Sequence, residues 1–415
     1  MIKRVLAVAM AFVGLSVGAG FASGQEILQF FVAFGVKGLG GAIFAGLGMC
    51  LVGLVMVQLG SYHQADEHTA VLDEIAPTPL AKLFDAAVVL TIFSIGFVMF
   101  AGAGSNLKQQ FGLPTWVGAV VLLVIVLVLG RLDVDKVSNV IGAISPLIVV
   151  FILVAFVYSV MNMPADWHSL VPETEKIHTT LPNFWIAALN YLGFSLMVPV
   201  SMSIVIGGYH LNPRTAGLGG LLGGFIFGLL LVCSAIALFI QAATVRHDDL
   251  PMLTLVGKMH PWMGTAMAVV IYLMILNSAI GMFYALGRRF TSDHPERFYK
   301  VFVGLTLSGF VISFFGFRTL VTYVYPILGY VGVALSVLMV LSWIKDRALI
   351  KAETERRIRV RDLVTLKLDP AKPFTRRDRR DLAKEIADSN IDDHELRETM
   401  EGKIGKLLED GTEPH

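Results

Sequence analysis

Charged side chains are scarce in most of this 415-residue chain. Asp, Glu, Lys and Arg make up 16% of it, against about 25% in ordinary soluble proteins. Hydrophobic residues make up 55%, and the mean hydropathy is +0.70. The few charges are concentrated, because residues 345–415 hold 17 of the 33 basic and 17 of the 32 acidic residues. The composition indicates an apolar, membrane-embedded body with a charged tail, and a net charge of +1 argues against a nucleic-acid partner.

Cysteines and catalytic motifs are also nearly absent. Both cysteines, Cys50 and Cys233, lie in apolar runs, which argues against a disulfide framework. The apolar runs contain no Ser-His-Asp set, phosphate loop or metal motif, so we expect neither an enzyme nor a bound cofactor or metal. Residues 63–74 carry His63, His68 and four carboxylates without a metal-ligand spacing, and we expect a solvated loop there.

Long apolar runs are abundant. Ten of them reach or approach the ~17 to 25 residues that a spanning helix needs. They are residues 5–34, 38–60, 79–102, 115–130, 137–160, 184–208, 216–243, 262–287, 301–317 and 320–344. The excess of Lys and Arg in alternate loops predicts a multi-pass plasma-membrane protein with both termini in the cytoplasm.

The first run contains residues that break a helix. Gly14, Gly18, Gly20 and Gly24 precede Glu26 within it. Backbone groups opened inside a bilayer are costly unless they line a wet cavity or bind something. An ionisable group in a span costs at least ~2.5 kcal/mol and points to function. We therefore expect a discontinuous first helix that breaks near Gly18 to Gly20, although close helix packing is an alternative use for the glycines.

The ten runs divide into two sets of five. The longest external loop, about residues 161–183, separates repeat one (about 1–160) from repeat two (about 184–344) in a transmembrane domain of residues 1–344. An odd number of helices per half inverts the second half, as in many secondary transporters. The sixth run contains Pro199, and we expect it to kink or unwind near Gly193 to Ser195. The fold predicted is all-α, with helices one and six discontinuous. The tail, residues 345–415, is balanced in charge, which favours disorder with short solvated helices around 377–389 and 393–408.

Several blocks resemble one family. The run Gly18-Ala19-Gly20-Phe21-Ala22-Ser23-Gly24-Gln25-Glu26 resembles the first helix of the YkvI-like membrane protein family, as do Ala101-Gly102-Ala103-Gly104 and Tyr325-Pro326-Ile327-Leu328-Gly329-Tyr330 in their own helices. The resemblance covers roughly residues 1–345. It implies a branch of the amino acid, polyamine and organocation transporter superfamily, with the leucine-transporter fold of two inverted five-helix repeats.

The resemblance also implies a substrate site at the two breaks. The Gly18-Ala19-Gly20 stretch matches a pattern that takes the substrate carboxylate, where helix N–H groups favour an anion. Carbonyls of the breaks suit an ammonium group, so a zwitterion fits both. Phe21, Tyr191 and Phe194 are candidate walls. The residues expected to bind substrate are Gly18, Ala19, Gly20, Phe21, Tyr191, Gly193, Phe194 and Ser195.

The coupling ion has two candidates. In sodium-coupled members of the fold, one ion lies near hydroxyl-bearing residues of helix eight, where this chain has Asn277 and Ser278, although these residues also suit interhelical hydrogen bonds. Glu26 is instead a candidate proton carrier. We expect a secondary active transporter that moves a small zwitterionic solute, an amino acid or similar amine, by alternating access coupled to Na⁺ or H⁺. A non-transporting ligand receptor on the same scaffold is the alternative.

Overall fold

The computed structural model describes residues 2–131, 145–369 and 373–409. Every regular element in these ranges is a helix. The first part of the predicted fifth span, residues 137–144, lies outside the described residues. The helices of the first half are α1 (Ile2–Ser16), α2 (Ala19–Ser23), α3 (Gln25–Phe30), α4 (Gly35–His63), α5 (His68–Ile75), α6 (Thr78–Phe111), α7 (Thr115–Leu129) and α8 (Ser145–Met161).

The second half follows a short 3₁₀ turn, Trp167–Leu170. Its helices are α9 (Val171–Thr174), α10 (Phe184–Met197), α11 (Val200–Gly208), α12 (Pro213–Ile240), α13 (Ala242–Val245), α14 (Pro251–Met259), α15 (Pro261–Phe290), α16 (Phe298–Ile312), α17 (Phe317–Leu368), α18 (Arg376–Ala387) and α19 (Asp393–Glu409).

Six helices among the described residues are long and apolar enough to cross a membrane, or seven if the bent pair α10 and α11 is one span. The chain is thus a helical membrane protein. The apolar helices α7 and α8 are shorter, and the predicted first span is divided into pieces. The count of ten spans and the inverted repeat stay predictions.

The first span is interrupted twice. Gly18 has an extended backbone between α1 and α2, and Gly24 separates α2 from α3 with φ +81°. Only glycine adopts that left-handed conformation at no steric cost. The first break lies close to the predicted position. Glu26 follows the second break, in the first turn of α3, and is buried.

The sixth span bends by 55° at Val198 and Pro199, between α10 and α11. The break predicted at Gly193 to Ser195 is therefore placed too early. Proline lacks an N–H group and its ring clashes with the preceding turn, so the helix holds until just before it. Gly193 stays helical, with its backbone pressed against Gly329 and Gly332 of α17.

The long helices pack closely where small residues face each other. A Cβ atom added at Gly46 of α4 would lie 3.0 Å from the Cα atom of Gly228 in α12. Gly53 of α4 and Gly220 of α12 approach each other in the same way at a second point along these helices. Such contacts let backbones approach and give van der Waals stabilisation that lipid cannot replace.

The tail is folded onto the membrane body, so the expectation of disorder is wrong for its described residues. Helix α17 continues well past residue 344, and α18 and α19 form a second apolar core with its last turns. Arg357 is almost fully buried and donates to the carbonyls of Ser61, Tyr62 and Leu211. Glu353 accepts from Arg357 at 2.8 Å. The bonds from Arg357 to these three carbonyls are long-range contacts that no local charge pattern reveals, and they fix the tail in place.

Candidate functional site

A cavity of about 680 Å³ lies where the two interrupted spans meet. Its walls come from the end of α1 and the start of α2, from α10 and α11, and from α6, α15 and α17. Ligand cavities commonly measure ~300 to 1,000 Å³. The cavity runs from the breaks towards the end of the bundle where the chain begins, past Gly14 to Ser16 and past Tyr284 and Ala285.

The first interruption presents backbone groups to the cavity. Gly18 caps α2 without a side-chain hydrogen bond, and Gly18, Ala19, Gly20 and Phe21 all line the space. The first N–H groups of a helix have no partner within it. A Cβ atom added at Gly18 would meet nothing within 4 Å, so this part of the backbone is open to a ligand.

Glu26 supplies the ionisable side chain of the site. It is buried, and the Tyr191 hydroxyl donates to its Oε1 at 3.0 Å. A Cβ atom added at Gly20 would lie 2.7 Å from Glu26 Oε2 and 3.3 Å from the Tyr325 hydroxyl. Glycine at position 20 thus makes room for the carboxylate. Among the described lining residues, Glu26 carries the one acidic or basic side chain.

Aromatic side chains form the wall around this carboxylate. Phe194 stacks on Tyr325 with ring centroids 4.2 Å apart, and Phe21 packs against Phe227 at 5.2 Å. Tyr191 lies behind the cavity between Phe30 and Phe31. Sequence reasoning did not select Tyr325 as a site residue, although a polar aromatic next to Pro326 inside an apolar run was a usable signal.

Asn277 and Ser278 of α15 also line the cavity. The Oδ1 atom of Asn277 is buried and has no hydrogen-bond partner among the described residues. An unpaired buried oxygen is costly, and a ligand or cation that binds it would remove that cost. The cavity therefore offers an oxygen ligand on the wall formed by α15.

Most predicted site residues come together at this cavity. Those that line it are Gly18, Ala19, Gly20, Phe21, Glu26, Phe194, Ser195, Asn277 and Ser278. Tyr191 contacts the site through its hydrogen bond to Glu26. Gly193 is not brought to the cavity, because its backbone packs against α17.

A polar network lies at the cavity's end near α11. His68 is buried, with Nδ1 3.0 Å from the Ser201 hydroxyl and Nε2 3.1 Å from Asp85 Oδ1. Arg289 of α15 also pairs with Asp85. Burial lowers the pKa of His68 below its ordinary value, against the opposing effect of Asp85. The solvated loop expected at residues 63–74 is thus wrong for His68, which joins α5 to α6 and α11.

Comparison with solved structures gives the fold class. The chain is similar to MhsT in complex with L-phenylalanine, at 14% identity over 98% of both chains with a TM-score of 0.56. It is also similar to the transporter Mhp1 with bound bromovinylhydantoin, at 15% identity over 85% of this chain and 79% of that one, with a TM-score of 0.53. The chain has the leucine-transporter fold.

Comparison with curated sequences confirms the family resemblance. The chain is 22% identical to the uncharacterized membrane protein YkvI of Bacillus subtilis (strain 168) over 333 residues, which is 79% of this chain and 92% of that protein. No family model matches the chain. The resemblance found in the glycine-rich first span therefore extends through most of the membrane body.

Proposed function

We propose that this protein is a secondary active transporter that carries a small zwitterionic solute, an amino acid or similar amine, by cation-coupled alternating access. The observation that carries the proposal is the buried Glu26 carboxylate in a cavity of about 680 Å³ between two interrupted spans. Intramembrane carboxylates mark substrate or ion pathways. The fold shared with Mhp1 and MhsT, whose structures hold small organic molecules, supports the same class.

The position of Glu26 suggests how a zwitterion would lie. Its Oε2 atom covers Gly20, so the carboxylate of the protein itself faces that part of the break. A substrate ammonium group would pair with Glu26, and the Phe194–Tyr325 stack would give it an aromatic neighbour. A substrate carboxylate would be repelled from Gly20 and would bind at the open backbone of Gly18 and Ala19.

Two cation sites fit the cavity. A sodium ion would take the Asn277 Oδ1 atom, the Ser278 hydroxyl and carbonyls at the end of α1, since hard cations prefer oxygen ligands. A proton would be carried by Glu26 and would be exchanged along the cavity. Only proton coupling makes Glu26 the coupling group, so a variant without this carboxylate can distinguish the two ions.

The test is uptake of labelled amino acids and amines into proteoliposomes that contain the full chain. Three conditions are compared: a sodium gradient, a proton gradient and no gradient. Accumulation driven by one gradient supports the proposal and identifies the ion. Saturable binding without flux in all three would favour the receptor alternative, and neither binding nor flux of any pool member would overturn the proposed substrate class.

We further propose that both termini face the cytoplasm of a plasma-membrane protein. Arg4 at the start of α1 and the folded tail, whose first part from Lys345 to Arg361 is rich in basic residues, lie at the same end of the bundle, which fits the positive-inside bias. Labelling of a cysteine introduced at Arg376 in sealed right-side-out vesicles tests this. Protection of that cysteine until the vesicles are opened supports the orientation, and labelling from outside contradicts it.

A further inference from the structure

A second cavity lies between the membrane body and the folded tail. Its volume is about 410 Å³. Four separate segments form its walls: the first turn of α1, residues 209–215 at the connection between α11 and α12 and the start of α12, the distal part of α17, and α19. The cavity of about 680 Å³ between the two interrupted spans, which we call the transport cavity, shares none of its lining residues. We call it the tail cavity.

The walls of the tail cavity are positively charged. Arg4, Arg357, Arg361, Lys403 and Lys406 line it, and the described lining residues include no Asp or Glu. Arg357 is neutralised by its ion pair with Glu353. Arg361 forms an ion pair with Asp362, the next residue of α17. Lys403 donates to the Tyr209 carbonyl at 3.1 Å, which is a neutral partner.

The charges disfavour one another. Burial and the nearby Arg4 both lower the pKa of Lys403 below its ordinary value. Burial, Lys403 and Arg4 lower the pKa of His210 in the same wall. A bound anion would offset the repulsion between Lys403 and Lys406, which line the same cavity. The folded tail maintains this arrangement, which points to an anionic ligand.

The shape of the tail cavity narrows the class of anion. Part of its wall is apolar and is formed by Leu211, Ile358, Met400 and Ile404. A bare phosphate ion would leave most of the 410 Å³ unfilled. A phosphate ester with an organic, partly apolar body would satisfy both the basic and the apolar parts of the wall.

The bilayer surface adjoins the tail cavity. Arg4 is in the first turn of α1, and Ile2, Leu6 and Met10 follow one exposed face of that helix at 82%, 50% and 48% exposure. In a spanning helix such a face contacts lipid, so Arg4 lies at the level of the headgroups. Basic pockets at this level of membrane proteins bind anionic lipid headgroups.

We propose that the tail cavity binds the phosphate group of an organic phosphate ester, with Lys403 and Lys406 as the phosphate-binding side chains. Two sources share this chemistry: the headgroup of an anionic phospholipid and a soluble nucleotide. Because α1 carries Arg4 at one end and Gly14 to Ser16 of the transport cavity at the other, the bound ester connects the tail to a wall of that cavity.

The test uses the full chain, purified in detergent and freed of lipid. Three probes are titrated: short-chain phosphatidylglycerol, phosphatidylcholine of the same chain length, and AMP. Binding is followed by thermal stabilisation. The variant Lys403→Gln with Lys406→Gln is compared with Lys351→Gln plus Lys384→Gln, which removes the same charge from exposed tail positions outside the cavity. Lys403→Arg with Lys406→Arg serves as the charge-preserving variant.

Each lysine near a phosphate contributes about 1 kcal/mol, or roughly fivefold in affinity, so the double Gln variant should bind about 25-fold more weakly. The control and the Arg variant should bind as the unmodified protein does. Stabilisation by phosphatidylglycerol but not phosphatidylcholine identifies a lipid headgroup, and stabilisation by AMP identifies a soluble ester. Absence of binding to both anionic probes, or equal binding by the Gln variant and its control, would overturn the proposal.

Discussion

The two interrupted spans meet at one cavity, but different residues break them. The first is divided into α1, α2 and α3 by an extended Gly18 and a left-handed Gly24. The second only bends, by 55°, and its break residues Val198 and Pro199 keep helical backbone angles. The first break therefore exposes backbone and positions a carboxylate, whereas the second mainly directs side chains. Recognition of a ligand should depend more on the first.

The largest expected effect is that of Glu26→Gln. This change removes the charge from the cavity while it keeps the shape of the side chain. Loss of a hydrogen bond to a charged group costs about 1.5 to 3 kcal/mol, so the affinity for the amine that accumulates in the uptake test should fall about 10- to 150-fold. The measurement is equilibrium binding in nanodiscs.

Glu398→Gln is the control, because Glu398 is exposed in α19 of the tail and does not line the cavity. Unchanged affinity in Glu26→Gln would mean that the second span supplies the recognition instead. Uptake by Glu26→Gln at several pH values also shows whether Na⁺ or H⁺ is the coupling ion. Loss of pH dependence assigns the proton to Glu26, and an unaltered profile excludes that role.

A matched pair of glycines gives the next effect. A Cβ atom at Gly20 would collide with the Glu26 carboxylate, whereas one at Gly40 of α4, which does not line the cavity, would meet nothing within 4 Å. Gly20→Ala should therefore lower uptake about tenfold, because small displacements of a binding group are costly. Gly40→Ala should retain uptake within about twofold, because alanine is a better helix former than glycine. Equal loss in both variants would mean that the loss does not come from displacement of Glu26.

Tyr191→Phe should have an intermediate effect. It removes the hydroxyl that donates to Glu26 Oε1 at 3.0 Å. A net hydrogen bond contributes about 1 kcal/mol, so substrate affinity should fall about fivefold. Tyr272→Phe is the control, since the Tyr272 hydroxyl donates to the Gly118 carbonyl and Tyr272 does not line the cavity. If both variants bind equally well, the hydroxyl of Tyr191 does not orient Glu26.

The smallest effect is expected for Pro199→Ala. Close packing holds both helices that meet at the bend, because Gly193 of α10 packs against α17 and Gly207 of α11 packs against Val57 of α4. The Ser203 N–H also donates to the carbonyl of Pro199 at 2.8 Å. Removal of the proline ring relieves its clash without changing the cavity charge, so uptake should fall only about two- to threefold. Measured uptake as low as in Gly20→Ala would show that the second break matters as much as the first.

Particular residues show how far the sequence leads. The glycine-rich first span predicted its own break, because glycine weakens a helix locally. The bend at Val198 and Pro199 lies a few residues after its predicted place, because packing of Gly193 on α17 holds the helix until the proline. His68 was expected in solvent, yet Ser201 and Asp85, from distant parts of the chain, enclose it.

The sequence by itself determined a helical membrane body, a broken first span and a buried carboxylate, since hydropathy and backbone preference are properties of short stretches. Only the tertiary structure decided that Glu26 meets Tyr191, 165 residues away, and that Arg357 buries itself beneath the membrane body. Such contacts depend on how whole helices pack against one another, and no local pattern encodes that arrangement.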